Sequence, residues 1–127
     1  MQQGRLLVLD DDETVGMLLV LVAQRAGFEA RLITQPTAFL AALDAWAPTH
    51  VAVDLQMPEL SGLEVLRRLA AAHCQARVII SSGAGAAEVA AALQVAQDLG
   101  LRTAGALAKP FSLAGLRGLL AASGNGP

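Results

Sequence analysis

The segment that decides the fold is His50-Val-Ala-Val-Asp54, in which three apolar residues stand between a histidine and an aspartate. Its apolar residues do not alternate with polar ones, so neither face of this strand is expected to meet water. Strands buried on both faces are typical of parallel sheets that carry helices on each side. The segment therefore predicts a central strand of an α/β fold.

The rest of the chain alternates short strand-like runs with longer segments of helical period. Strands are predicted at 5–10, Glu29–Ile33, His50–Asp54, 77–81 and 104–108. Pro36 marks a helix start, Gly27 and Gly100 mark helix ends, and the last two helices are predicted at 88–99 and 112–122. Five strand–helix units with short connections predict a flavodoxin-like (βα)5 fold, a doubly wound parallel sheet with strand order 2-1-3-4-5.

Length and composition fit one compact domain, with 127 residues of which 54% are hydrophobic. We expect the domain to occupy residues 1–122 and residues 123–127 to form a C-terminal tail or the start of a linker. The net charge is −2 and the basic residues are scattered, which disfavours direct contact with nucleic acid. The only cysteine is Cys74, and no segment resembles a signal peptide or a membrane helix. These features predict a cytoplasmic domain with no membrane contact.

Polar residues gather where the predicted strands end. Asp10, Asp11 and Asp12 follow the first strand, Asp54 ends the third, Ser81 and Ser82 end the fourth, and Lys109 ends the fifth. In this strand order the first and third strands are neighbours, so the acidic run and Asp54 are expected side by side. Carboxylates packed together need a cation, and hard oxygen ligands suit Mg²⁺. With a lysine and a hydroxyl added, the pocket could hold a phosphoryl group on Asp54.

Each of these features also has a purely structural interpretation. Asp12 and Glu13 are expected to cap the first helix and to favour its first turn. A lone aspartate after a strand can be a turn residue, and Ser-Ser-Gly is commonly only a loop. The argument for a functional site rests on all of these residues meeting at one edge of one sheet.

These segments resemble the receiver domains of bacterial two-component response regulators. Val8-Leu-Asp10-Asp11-Asp12 is similar to that family's acidic pair, with Asp10 and Asp11 in those positions. Val53-Asp54-Leu-Gln-Met57-Pro58, followed by Gly62, resembles the phospho-acceptor strand and its loop. Val78-Ile-Ile-Ser-Ser82-Gly83 resembles the strand that ends in the switch hydroxyl, and Lys109-Pro110-Phe111 resembles the invariant-lysine motif.

The resemblance implies a mechanism and partners. Mg²⁺ would be held by Asp11, Asp54 and the backbone carbonyl of Gln56, with Asp10 acting through water. Asp54 would accept a phosphoryl group from a sensor histidine kinase or a histidine phosphotransfer protein. Ser82 and Lys109 would bind the phosphoryl oxygens and switch the domain's conformation. Such a domain is not an enzyme beyond its own phosphorylation and dephosphorylation, although an output domain can follow it.

Two departures from the family pattern stand out. Ala106 occupies a position where many receivers carry an aromatic residue that reports the state of the switch hydroxyl, so we expect the signal to leave by backbone or helix movement. The spacing between Ser82 and Lys109 is longer than usual, which resembles receivers attached to EAL-type cyclic-di-GMP phosphodiesterases.

Alternatives remain open at the level of sequence. A phosphohydrolase of the haloacid-dehalogenase type also uses an aspartate nucleophile, and a receiver-like module that is never phosphorylated would share the fold. A flavin-binding flavodoxin is disfavoured by the scarcity of aromatic residues. His50 and His73 are interpreted as surface or capping residues, and Trp46 as a packing residue. Apolar residues of the last two helices could form a homodimer face or pack on their own sheet, namely Leu93, Val95, Leu113, Leu116 and Leu119.

Overall fold

The computed structural model describes residues 4–58, 60–83, 85–109 and 111–124. Of these, residues 122–124 are described by their backbone only. Strands and helices alternate along the whole chain. The elements are β1 (Arg5–Leu9), α1 (Glu13–Arg25), β2 (Glu29–Ile33), α2 (Pro36–Trp46), β3 (His50–Asp54), α3 (Gly62–Ala71), β4 (Arg77–Ser82), α4 (Ala86–Asp98), β5 (Arg102–Ala108) and α5 (Leu113–Gly124).

The five strands form one parallel sheet in the order β2-β1-β3-β4-β5, which confirms the predicted topology. All five residues of β3 are buried, as the unbroken apolar run of this strand predicts. The order places β1 and β3 side by side, with Leu9 paired in register with Val53. The next residues, Asp10 and Asp54, therefore lie next to each other.

Two hydrophobic clusters cover the two faces of the sheet. One joins strand residues such as Leu7 and Val53 to α2, α3 and α4. The other joins Val8, Ala52 and Ile79 to α1 and α5. Because side chains alternate along a strand, these clusters identify the face to which each residue at the strand ends belongs.

Element ends differ from the sequence prediction by two residues in three places, and by one residue at several others. The helix α4 begins two residues earlier than expected, at Ala86, and β5 begins at Arg102, with an irregularity opposite Val78 and Ile79 that leaves Ala104 unpaired. Such an extra residue obscures the two-residue period from which a strand is recognised. The helix α5 continues to Gly124, into the predicted tail, and residues 125–127 lie outside the described part of the chain.

His50 was predicted to be a surface or capping residue, and this is wrong. It is buried in β3, where its Nδ1 lies 2.8 Å from Thr49 Oγ1 and its ring meets Phe28 edge-on at 5.1 Å. Burial, followed by the charge of Arg77, lowers the pKa of this imidazole. The packing interpretation of Trp46 is confirmed, since its indole is buried in the core below α2.

Most of the proposed dimer-face residues pack on their own sheet. Leu116 is fully buried, and Leu93 and Leu119 lie against the two core clusters, whereas Leu113 is exposed. None of the described helices is both long enough and apolar enough to cross a membrane.

Candidate functional site

Three carboxylates meet at the carboxyl ends of β1 and β3. One ligand oxygen from each of Asp10, Asp11 and Asp54 lies within 4.8 Å of the others. Asp10 and Asp54 are buried, and Asp11 is exposed. The meeting follows from the sheet order, because Asp10 and Asp54 each come one residue after the registered pair Leu9 and Val53.

Lys109 reaches this cluster from the far side of β4. Its Nζ lies 2.9 Å from Asp10 Oδ2 and 3.2 Å from Asp54 Oδ2. Burial lowers the pKa of this ammonium group, but its hydrogen bond to Asp10 and the charge of Asp54 outweigh burial, so the net pKa is raised. The lysine is therefore charged and partly neutralises two buried carboxylates.

Backbone N–H groups hold the two buried carboxylates in place. Asp54 Oδ1 accepts from the N–H of Gln56 at 3.1 Å, and Asp10 Oδ1 accepts from the N–H of Asp12 at 2.9 Å. Burial raises the pKa of Asp54, and the Gln56 N–H and the Lys109 charge only partly offset this increase. Ionised Asp54 thus carries a desolvation cost that a further positive charge would relieve.

Asp12 has the structural role that the sequence predicts. Its Oδ1 accepts hydrogen bonds from the N–H groups of Thr14 at 3.0 Å and Val15 at 3.2 Å, so it is the N-cap of α1. Glu13 lies in the first turn of that helix. The acidic run is therefore divided between two tasks, with Asp10 and Asp11 in the cluster and Asp12 at the helix start.

The loop after Asp54 packs closely on the end of β3. A Cβ atom on Gly62 would lie 2.6 Å from the Asp54 carbonyl oxygen, so only glycine fits there without a backbone shift. Met57 packs against the core, whereas Gln56 and Pro58 are exposed. Glycine at this position lets α3 begin directly beside the acidic site.

Both serines at the end of β4 are buried, and they differ in the face they occupy. Ser81 pairs in register with Asp54, and two residues earlier Ile79 lies on the α1–α5 face. Ser81 therefore shares the face of Asp54, and Ser82 follows it at the end of the strand, where its carbonyl accepts from the N–H of Lys109 at 2.9 Å. Gly83 is exposed beside Lys109, and Pro110 lies outside the described residues.

The donor set fits a hard divalent cation. All the side-chain donors are carboxylate oxygens, which is the ligand type that Mg²⁺ prefers. One lysine supplies a single positive charge against three carboxylates, so the cluster keeps a negative charge that a cation would neutralise.

The model of the response regulator receiver domain family matches residues 6–121. The chain belongs to the response regulator receiver domain family. Its strand order and the carboxylate–lysine cluster are those expected of a receiver domain in a two-component system, which acts as a phosphorylation-dependent switch. Membership decides against the phosphohydrolase and flavodoxin alternatives.

Relatives with known roles span a longer chain than this one. The receiver is 33% identical over 119 residues to the transcriptional regulatory protein FixJ of Azorhizobium caulinodans, a match that covers 91% of this chain and 53% of FixJ. It is 30% identical over 94 residues to the DNA-binding response regulator MtrA of Mycobacterium tuberculosis, covering 74% of this chain and 41% of MtrA. The chain thus spans about half the length of these relatives or less.

Solved structures agree with the fold. The crystal structure of FixJ-N superposes with a TM-score of 0.81 at 26% identity, covering 100% of this chain and 98% of that one. The signal receiver domain of a putative Luxo repressor protein from Vibrio parahaemolyticus gives a TM-score of 0.82 at 20% identity, with coverage of 96% and 90%. The second likeness, at this low identity, supports the fold alone.

A cleft of about 1060 Å³ lies at the opposite edge of the sheet from the carboxylates. It is lined by residues at the amino ends of the strands, including Thr49, His50, Arg77 and Arg102. This cleft and the carboxylate cluster therefore lie at opposite ends of the strands.

Proposed function

We propose that Asp54 is the phospho-acceptor of this receiver and takes its phosphoryl group from a histidine kinase or a histidine phosphotransfer protein. The observation that carries the proposal is the contact of Lys109 Nζ with both Asp10 and Asp54. This arrangement places a cationic group next to a buried carboxylate whose burial favours loss of its negative charge. Phosphorylation converts that carboxylate into an uncharged ester oxygen and moves the charge outward onto phosphoryl oxygens.

The transfer itself requires little of the protein beyond positioning and charge. A carboxylate oxygen of Asp54 attacks phosphorus, and the bond from phosphorus to the donor's imidazole nitrogen breaks. The electron pair stays on that nitrogen, which takes a proton. Gln56 N–H orients one carboxylate oxygen and Lys109 lies beside the other, where it can stabilise the phosphoryl oxygens.

Asp11, Asp54 and the backbone carbonyl of Gln56 are the proposed Mg²⁺ ligands, with Asp10 acting through water. Mg²⁺ bound there supplies positive charge to the carboxylates and to the transferring oxygens. Ser82 is the proposed switch hydroxyl for a phosphoryl oxygen. Ala106 is partly buried against the core and has no ring to turn inward, so we propose that α4 or the backbone of β4 and β5 carries the signal.

The partner surface we propose is the exposed side of α1. Leu19 is fully buried and unavailable, but Met17, Leu18 and Leu21 each have nearly half of their surface exposed, and Thr14 lies beside them. These three exposed apolar side chains lie within little more than one turn of α1 and form an apolar surface on the helix that begins next to the acidic site. A helix of a kinase or phosphotransfer protein could pack there and present its phosphohistidine to Asp54.

Because FixJ is named a transcriptional regulatory protein and MtrA a DNA-binding response regulator, we propose that an output domain accompanies this receiver in the full protein. The receiver itself is proposed to make no direct contact with nucleic acid and to catalyse only its own phosphorylation and dephosphorylation. A cytoplasmic location is proposed because the donor kinase uses ATP. Attachment to an EAL-type enzyme and a homodimer remain untested predictions.

Intact-mass spectrometry after incubation with acetyl phosphate and Mg²⁺ tests the proposal. We expect one phosphoryl adduct on the wild-type protein, none on Asp54→Asn and none when the metal is chelated. Asp44→Asn, which changes an exposed aspartate on α2, is the matched control and should be phosphorylated normally. Absence of the adduct from folded wild-type protein that binds Mg²⁺ would leave a receiver-like module that is never phosphorylated.

A further inference from the structure

Ser81 carries a buried hydroxyl that takes no part in the proposed phosphoryl transfer. Its side chain is 1% exposed, and its Oγ has no hydrogen-bond partner among the described residues. Leaving a buried hydroxyl without a partner costs stability, roughly 1–3 kcal/mol. A hydroxyl kept at such a cost next to a reactive group suggests a partner in another state of the site.

The sheet register places this hydroxyl directly beside Asp54. Ser81 and Asp54 are registered partners on neighbouring parallel strands, and both lie on the α1–α5 face of the sheet. Neighbouring strands lie about 4.8 Å apart, so the two side chains are within reach of one another through a rotation about the Ser81 side-chain bond. The Lys109 side chain reaches Asp54 from β5 across the end of β4, the strand that carries Ser81.

We propose that Ser81 donates a hydrogen bond to a carboxyl oxygen of Asp54 while the phosphorylated aspartate is hydrolysed, and that this contact shortens the lifetime of the active state. The inference rests on the proposed phosphorylation of Asp54. It assigns to Ser81 a role separate from that of Ser82, which is the proposed ligand of the phosphoryl oxygens.

The chemistry of hydrolysis accounts for the effect. A water oxygen forms a bond to phosphorus, the bond from phosphorus to the Asp54 oxygen breaks, and its electron pair remains on Asp54 as a carboxylate. One proton of the water passes to solvent, the other stays on the new phosphate oxygen, and hydrogen phosphate leaves. Negative charge therefore develops on Asp54 in the transition state, and a hydrogen-bond donor to that group stabilises the transition state more than the phosphorylated ground state.

The need for a further donor follows from the contacts of Asp54. In this structure one oxygen has the N–H of Gln56 and the other has Lys109. The phosphoryl oxygens carry more negative charge than the ester and attract the ammonium group of Lys109 away from Asp54. The Gln56 N–H then remains as the hydrogen-bond donor to the departing carboxylate, beside the proposed Mg²⁺, and Ser81 Oγ, in register with Asp54, can replace the lysine as a second donor.

The experiment compares the rates of phosphorylation and hydrolysis for Ser81→Ala and wild-type protein, measured with acetyl phosphate and then after its removal. We expect hydrolysis to slow by about three- to tenfold, the effect of one hydrogen bond to a developing charge. Phosphorylation should not slow, because the same donor stabilises the carboxylate before attack. Urea unfolding of Ser81→Ala should show a stability at least equal to that of wild type, since no folded-state hydrogen bond is lost.

Ser81→Thr and Ser81→Val form a matched pair of equal shape, of which only threonine keeps the hydroxyl. We expect the threonine variant to hydrolyse its phosphoryl group faster than the valine variant by a similar factor. The inference is wrong if the pair hydrolyse equally fast, if hydrolysis in Ser81→Ala is unchanged, or if both rates fall together as a distorted site would cause. Lack of any adduct on the wild type refutes the phospho-acceptor proposal instead.

Discussion

Replacing Lys109 by methionine tests the electrostatic account of the site most directly. Methionine keeps the length and much of the apolar stem of lysine but removes the charge that lies 2.9 Å from Asp10 and 3.2 Å from Asp54. Two buried carboxylates then face each other with the exposed Asp11 nearby and no cation. We expect the domain to fold but to lose much of its stability when Mg²⁺ is absent.

The magnitude follows from the burial of the three groups. Removing one partner of a buried ion pair costs about 3–5 kcal/mol, because the remaining charge is left uncompensated. Asp10 and Asp54 are almost fully buried, but the Lys109 side chain is 19% exposed, so solvent screens part of the interaction. A loss of about 2–3 kcal/mol is therefore expected, out of a total stability of about 5–15 kcal/mol for a domain of this size.

Mg²⁺ should restore more stability to the variant than to the wild type. A ligand that binds only the folded state at ten times its dissociation constant stabilises that state by about 1.4 kcal/mol. Removing the competing ammonium group raises the affinity of the carboxylates for the cation. The stabilisation by a fixed concentration of Mg²⁺ should accordingly be larger for Lys109→Met.

Urea unfolding followed by the fluorescence of Trp46, the single tryptophan, measures these differences, since the indole is buried in the core. Arg67→Met is the control, because Arg67 pairs with Glu64 at 3.3 Å on an exposed helix face and should contribute at most about 0.5 kcal/mol. If Lys109→Met in chelator is as stable as Arg67→Met, or if Mg²⁺ stabilises it no more than it does the wild type, the electrostatic reasoning fails.

Three further predictions concern a glycine beside the site, the cap of α1 and the buried histidine of β3. Gly62→Ala should lower the free energy of unfolding by about 1–3 kcal/mol, because its Cβ would lie 2.6 Å from a backbone oxygen, whereas Gly118→Ala, with nothing within 4 Å, should raise it by about 0.5–1 kcal/mol. Asp12→Ala should cost about 1 kcal/mol in urea unfolding through loss of the α1 cap, yet give a normal phosphoryl adduct by mass spectrometry. Because burial lowers the pKa of His50, protonation favours the unfolded chain, so wild-type stability should fall from about pH 7 to about pH 5. His50→Gln should reduce that fall in urea titrations at each pH, and the exposed control His73→Asn should keep it.

The sequence alone predicted the sheet and the composition of the site. The apolar run before Asp54 indicated a strand covered on both faces, and the alternation of five strand and helix patterns predicted the strand order that brings Asp10 next to Asp54. The sequence also predicted the N-cap of α1, because Asp12 directly precedes a helical period, and the structure confirms this role. The strand and the helix cap are local features, because each depends on residues a few positions apart.

Features that depend on distant residues were missed or misjudged. His50 looked like a strand entrance at the surface, but Phe28 from the turn before β2 covers its ring. The irregularity that leaves Ala104 unpaired arises where β5 meets β4, and its one signal in the sequence is Gly105, a glycine inside the strand whose φ is 144°. On α1, Leu19 faces the core whereas its neighbour Leu18 has nearly half of its surface exposed, a difference between adjacent leucines that packing alone decides.

By itself, then, the sequence determined which residues make a receiver domain and in what order its strands lie. Hydrophobic periodicity, helix-ending glycines and motif residues are patterns of neighbouring residues, so they can be recognised without the structure. Only the tertiary structure decided how the charges are paired and which serine stands beside the acceptor. Lys109 reaches Asp54 and Asp10 across the end of β4, and Ser81 shares their face through the register of β3 and β4. Distances of a few ångströms between strands far apart in sequence set these contacts, and the packing of both sheet faces fixes them.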